Sequence, residues 1–466
     1  MRRPLPLFIL VLAAVLLVCV IGQFSDKNNE RRLPGATTPA SGPAAAPAPA
    51  TPAGVAAASA AVSGSASATT PEAALASTSG YAALRARGAY LARASDCMAC
   101  HTRRGGAAYA GGRSIATPFG ELISPNLTPD RQTGIGNWSA DDFWRALHNG
   151  VSKDGRLLYP AFPYTNYTRM PRADADALFA YLQSLPAVNA PNAPHQLRFP
   201  YDQQIMLAAW RAIYFRPGSF QPDPQRSAAW NRGAYLVQGP AHCSACHSPR
   251  NWLGASEGET LAGALLPMQG WYAPSLTAPQ EGGVQQWPTA RIVQLLQTGR
   301  SGDAGVSGPM AEVVSRSLQH LDAADLGAMA EYLQSLPVSA TPAPATPDNS
   351  PATRNMLAAG EQLYGRHCAD CHGAKGQGQA PAYPALAGNR AVTMLHSVNA
   401  VHSVLHGGFA PATAGNPRPY SMPPFGPVLS DTEVAQVLSF VRSAWGNQAA
   451  PVSASEVNRY RTVPLD

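Results

Sequence analysis

Apolar residues are spread along this chain in two different ways. From Leu5 to Phe24 they run almost unbroken behind Arg2 and Arg3, about twenty residues in all, long enough to cross a bilayer as a helix. Elsewhere they recur at three- and four-residue spacing behind an acidic start, in "DADALFAYLQSLP", "DAADLGAMAEYLQSLP" and "DTEVAQVLSFVRSAW". Each of these predicts an amphipathic helix closing a folded unit. Ile21-Gly22-Gln23-Phe24, at the end of the run, offers no small-x-small cleavage site, so the first segment is expected to stay in place as an anchor. Charge leaves its orientation open, because Lys27, Arg31 and Arg32 balance Arg2 and Arg3.

Composition then divides the chain. Residues 33–80 are almost entirely Ala, Pro, Thr, Ser and Gly, too poor in apolar bulk to build a core, and read as a disordered tether. "PVSATPAPATPDNSPATR" reads as a second linker. The rest repeats itself: "RGAYLARASDCMACH" from Arg87 resembles "RGAYLVQGPAHCSACH" from Arg232, and "AGEQLYGRHCADCHG" from Ala359 is a looser copy. In each, a short helix leads into a pair of cysteines and an amphipathic helix ends the unit. The expected organisation is an anchor (1–32), a linker (33–80), a first domain (81–190), a connecting segment (191–227), a second domain (228–337), a linker (338–353), a third domain (354–448) and a C-terminal tail (449–466). A mildly basic net charge of +6 without a run of five or six Lys or Arg gives no footprint for nucleic acid.

Six of the seven cysteines fall in three Cys-x-x-Cys-His motifs. The seventh, Cys19, lies within the apolar segment and reads as a small membrane residue. A bare Cys-x-x-Cys suits a redox dithiol or half a zinc site, but the following His points to covalent c-type haem: two thiols form thioethers, and the His, placed beside them, ligates iron. Cys97, Cys100 and His101, then Cys243, Cys246 and His247, then Cys368, Cys371 and His372 are therefore expected to hold three haems. Such attachment takes place outside the cytoplasm, which puts everything beyond the anchor on the periplasmic side of the cytoplasmic membrane.

A sixth iron ligand has to come from the stretch between the cysteines and the closing helix. Met170 is the candidate in the first unit, with His148 as its rival; Met98, inside the attachment loop, cannot reach the opposite haem face. In the second unit Met310, read as lying in a loop before the closing helix, is preferred over Met268 and Met329. In the third, Met422, stiffened by Pro423 and Pro424, is preferred over Met394. No flavin or nucleotide fingerprint and no Ser-His-Asp pattern is present, so no catalytic residue is expected and the oxidised substrate is chosen by another subunit.

"GIGNWSADDFWRALHNGVSKDGRLLYPAFPYTNY", "RFPYDQQIMLAAWRAIYF" and "SAAWNRGAYLVQGPAHCSACHSPRN" make the chain resemble the three-haem cytochrome c subunits of bacterial membrane-bound alcohol, aldehyde, gluconate, sorbitol and fructose dehydrogenases. The resemblance implies a mainly α fold of three tandem class I cytochrome c-like domains. It implies electrons arriving from a catalytic subunit with pyrroloquinoline quinone, flavin, or molybdopterin and iron–sulfur clusters, and leaving to ubiquinone or a terminal oxidase. Two departures stand out: the apolar N-terminal segment and its Ala/Pro tether, and Phe162, in "YPAFPY", where some relatives carry Met. An aldehyde or alcohol type of partner is the expectation. A cytochrome subunit of a terminal oxidase and a haem peroxidase are the competing readings.

Overall fold

The computed structural model of the chain describes residues 71–302, 304–339, 348–380 and 382–462. The expected anchor, most of the first linker and half of the second lie outside the described residues. Among the described residues, no helix is long and apolar enough to cross a membrane. Ala83–Asp466 forms one compact unit.

Each repeat opens and closes with a helix: Pro71–Ala94 with Arg172–Gln183, Ala228–Gln238 with Ala323–Gln334, and Pro351–His367 with Asp431–Ser443. Local chemistry starts most of them. The side chains of Ser227, Asp322, Ser350 and Ser430 accept from backbone N–H groups in the first turn, and Glu433 reaches back to Ser430 to complete a capping box. The opening and closing helices then cross at a glycine. A Cβ on Gly88 would stand 1.9 Å from Ala177 O, on Gly233 1.9 Å from Ala328 O, and on Gly360 2.1 Å from Gln436 O, so any side chain there would force the helices apart. Around each crossing lies a separate core, built on Leu91, Leu178 and Leu182, on Leu236, Leu326 and Met329, and on Leu363, Val434 and Leu438.

Strand is confined to short pieces, in keeping with the mainly α expectation. The hairpin Ser114–Thr117 and Gly120–Ile123 gains a third strand, Gln196–Leu197, with Glu121 opposite both Ala116 and Gln196.

Three segments carry more structure than their composition suggested. The first opening helix begins at Pro71, inside the stretch read as linker. The connecting segment holds that third strand and the helix Gln204–Tyr214, whose Arg211 donates to Asn149 O over 2.6 Å and lies over the Tyr164 ring. The C-terminal tail contains the helix Ala454–Arg461, seated by fully buried Val457 and by Arg461 donating to Asp431, Gly426 O and Leu429 O.

Candidate haem-attachment sites

The chain turns sharply into the first two motifs. Asp96 and His242, each just ahead of its first cysteine, adopt left-handed backbone (φ 45° and 39°) between the end of the opening helix, at Ala94 or Gln238, and the short helix Cys97–His101 or Ser244–His247. At the third site the opening helix runs directly to His367, and Ala369–His372 follows.

In every repeat the motif histidine is held in the same way. His101 Nδ1 lies 2.8 Å from Pro125 O, His247 Nδ1 2.7 Å from Pro274 O, and His372 Nδ1 2.9 Å from Pro384 O. Its carbonyl meanwhile accepts from a glycine N–H: Gly111 to His101 (2.8 Å), Gly263 to His247 (2.7 Å) and Gly378 to His372 (2.7 Å). These glycines have φ of 72°, 84° and 67°, and they run against the chain that bears the proline, so a Cβ on Gly111 would stand 2.5 Å from Pro125 C. Two residues after each proline comes a leucine whose N–H returns to the glycine loop: Leu127 to Tyr109 O, Leu276 to Leu261 O, Leu386 to Gly376 O. Pro-x-Leu after each attachment motif was thus a legible signal that the sequence reading missed.

A carbonyl at Nδ1 fixes the tautomer and leaves the Nε2 lone pair outward. Burial holds His101, His247 and His372 below the usual imidazole range, so the neutral, ligating form is favoured. None of the thiols is in a disulfide, and burial pushes Cys97 and Cys243 up to about 12 and Cys368 up to about 11. Among the described residues no group of three or more His, Cys, Asp or Glu that could hold a bare metal ion is found. Two free thiols beside one neutral, oriented imidazole are the donor set of a c-type haem.

The methionines differ in setting. Met310 is half-buried, but it is the second residue of the helix Pro309–Arg316 and not part of a loop; Pro309 at the first position favours a helix start there. The ring of Trp271 packs flat on Gly308, just ahead of it. Met422 is half-buried, paired across a two-residue ladder with Gly408, and its carbonyl lies against Gly407. Met170 is fully buried in the first core, with half-buried Phe162 packed against the same cluster. Its rival His148 stacks on Trp144 with ring centroids 4.3 Å apart. Of the others, Met394 is buried against Tyr272 and Val398, Met329 is core, and Met268 is 56% exposed at a φ of 64°.

The cytochrome c family model matches residues 85–186 and 357–445. A nicotinate dehydrogenase subunit of Pseudomonas putida is 43% identical over 78% of this chain, although the chain spans only 30% of that protein. The cytochrome c subunit of the alcohol dehydrogenase (quinone) of Gluconacetobacter polyoxogenes is 37% identical, covering 81% of this chain and 84% of that one. The gluconate 2-dehydrogenase cytochrome c subunit of Pantoea cypripedii is 38% identical, covering 84% and 92%.

Proposed function

The chain belongs to the family of cytochrome c subunits of dehydrogenase complexes, and from that premise we propose that it carries three covalent haems between a catalytic dehydrogenase and the respiratory membrane. The observation that carries the reading is the threefold repetition of one clamp, His Nδ1 to a proline carbonyl and His carbonyl to a left-handed glycine. A redox dithiol calls for no such arrangement, whereas a metal-ligating imidazole needs a fixed ring and a free Nε2, and the paired cysteines just ahead of each His make that metal the iron of a c-type haem.

In this reading Cys97 and Cys100, Cys243 and Cys246, and Cys368 and Cys371 form the thioethers, and His101, His247 and His372 ligate. Met310 and Met422 would supply soft thioether donors to the iron, and Met170 would do so at the first site. Haem, when bound, supplies the one-electron couple; the protein sets its potential through ligand type and burial. The catalytic partner is proposed to be of the alcohol or aldehyde type, supported by the identity to the alcohol dehydrogenase cytochrome. The higher identity to the nicotinate dehydrogenase protein gives a second reading, an N-heterocycle dehydrogenase. Ubiquinone or a terminal oxidase accepts the electrons, and residues 1–32 tether the protein to the periplasmic face of the cytoplasmic membrane.

The intact mass of the purified chain tests the haem count. A gain of three haems is expected, a gain of one or two refutes it, and Cys371→Ser together with Cys368→Ser removes one haem and leaves two. Reduction of the haems in the copurified complex by an alcohol or by nicotinate separates the two partner readings. Deletion of 1–32 behind a cleavable export signal is expected to release a haem-loaded protein that takes electrons from its partner but reduces membrane quinone poorly; full quinone activity would overturn the anchoring role.

A further inference from the structure

The first two repeats share "RGAYL", at Arg87 and at Arg232, and the structure uses it for something haem attachment does not require. Each arginine holds an aspartate on the closing helix of its own repeat: Arg87 Nε donates to Asp174 Oδ1 over 2.6 Å, and Arg232 Nε and Nη2 donate to Asp325 over 2.7 and 2.6 Å. The tyrosine three residues later reaches the other repeat. Tyr90 Oη donates to Asp325 Oδ2 over 2.6 Å, and Tyr235 Oη donates to Asp174 Oδ2. Every aspartate is therefore shared between its own arginine and the opposite tyrosine. Such mutual exchange marks a two-fold contact between like surfaces.

The exchange has consequences for stability. Asp174 exposes 1% of its side chain and Asp325 10%, and a carboxylate so deeply placed is costly unless its oxygens are bonded. Each repeat thus needs the other to complete its own aspartate. Neighbouring contacts follow the same exchange. Asn166 Nδ2, ahead of the first closing helix, donates to Ser244 Oγ over 2.8 Å inside the second cysteine motif, and Ser317 Oγ, ahead of the second closing helix, donates to Ala94 O over 3.4 Å beside the first.

The third repeat has no part in this. Aligned on the crossing glycine Gly360, it carries Ala359 and Gln362 where the others have Arg and Tyr, and Glu433, on its closing helix, is turned to its own cap Ser430. It meets the second repeat by another surface, where Asn399 Oδ1 accepts from Tyr272 N (2.9 Å) and Asn399 Nδ2 donates to Tyr272 O (2.8 Å).

We propose that Tyr90 and Tyr235 are positioning residues, a reciprocal latch that fuses the first two repeats into one pseudo-two-fold body and fixes the mutual placement of their haem-binding helices. The third repeat lies outside the latch and meets the second through Tyr272 and Asn399.

Hydrogen exchange on the haem-loaded full chain tests the latch. Tyr90→Phe is expected to raise amide exchange in Ala323–Gln334 of the opposite repeat, and Tyr235→Phe in Arg172–Gln183, each roughly ten-fold or more, as loss of a hydrogen bond to a buried charge would give. Pro351–His367 stays unchanged and controls for general unfolding. Effects confined to the mutated repeat, or a double variant exchanging like the parent, overturn the proposal. A second arm, which rests on the haem reading above, measures the dipolar distance between the first two ferric haems by pulsed EPR. The double variant is expected to broaden that distribution, and an unchanged one shows that the tyrosines do not position the haems. The exchange arm stands whatever the haem count proves to be.

Discussion

His372 Nδ1 lies 2.9 Å from Pro384 O, and the carbonyl of the same histidine accepts from Gly378 N over 2.7 Å. Ring and backbone are therefore clamped by a single loop. Gly378 has a φ of 67°, and a Cβ on it would stand 2.5 Å from Ala385 N, beside the proline that orients the ring. Gly378→Ala is expected to cost about 2–4 kcal/mol, from left-handed strain and forced displacement together. The haem stays covalently bound while its ligand-field bands shift, which denaturant titration and visible spectra would show. Gly365→Ala, with nothing within 4 Å of the added methyl, is the control and is expected to stabilise by about 0.5–1 kcal/mol.

Met422 and Met394 can be told apart by what each variant leaves untouched. Met422→His is expected to lower the potential of the third haem by on the order of 100 mV, because a second imidazole favours ferric iron more than a thioether does. Met394→Leu should leave all potentials in place and instead loosen the contact with Tyr272. A redox titration in which Met394→Leu, and not Met422→His, moves one component would reverse the assignment.

Arg211, in the connecting helix, donates to Asn149 O and Gly150 O and lies over the rings of Tyr164 and Phe215. Arg211→Met is expected to cost about 2–3 kcal/mol in unfolding of the first repeat, since it strips charge-assisted bonds from two carbonyls. A change below about 0.5 kcal/mol in calorimetry would make the connecting segment a passive strap.

That helix also shows where the sequence stops being informative. The closing helices were legible because their apolar residues lie on one face against a core, and the attachment motifs because their spacing is set by covalent chemistry. Gln204–Tyr214 lacks the acidic start that marked the closing helices, and its large apolar residues close no core: Leu207 is buried while Ile205, Met206 and Ile213 stay exposed, the last by 64%. Ala454–Arg461 was illegible for the opposite reason, since Val457 alone is fully buried and polar bonds from Arg461 hold the rest. The repeated Arg-Gly-Ala-Tyr-Leu could be seen, but the glycine packs within its repeat and the tyrosine reaches across to the next. Those partners lie far apart along the chain, and no local pattern distinguishes them.

His402 links the fold to pH. It is fully buried, stacked on Trp271 with centroids 5.0 Å apart, and close to His406 (5.3 Å) and Tyr460 (5.5 Å). Burial first, and then His406, lower its pKa to about 4, with only the Gly270 backbone opposing. An unfolded histidine titrates near ~6.5, so between these values the unfolded chain binds a proton that the folded chain refuses. The stabilisation is complete above about pH 6.5 and is lost as pH falls towards 4, by at most about 3 kcal/mol. His402→Phe keeps a ring against Trp271 and removes the proton site. The variant is expected to hold its third-repeat unfolding temperature from pH 7 to 4.5 better than the parent does, read by calorimetry on the haem-loaded chain. Parallel losses in parent and variant would place the acid sensitivity elsewhere.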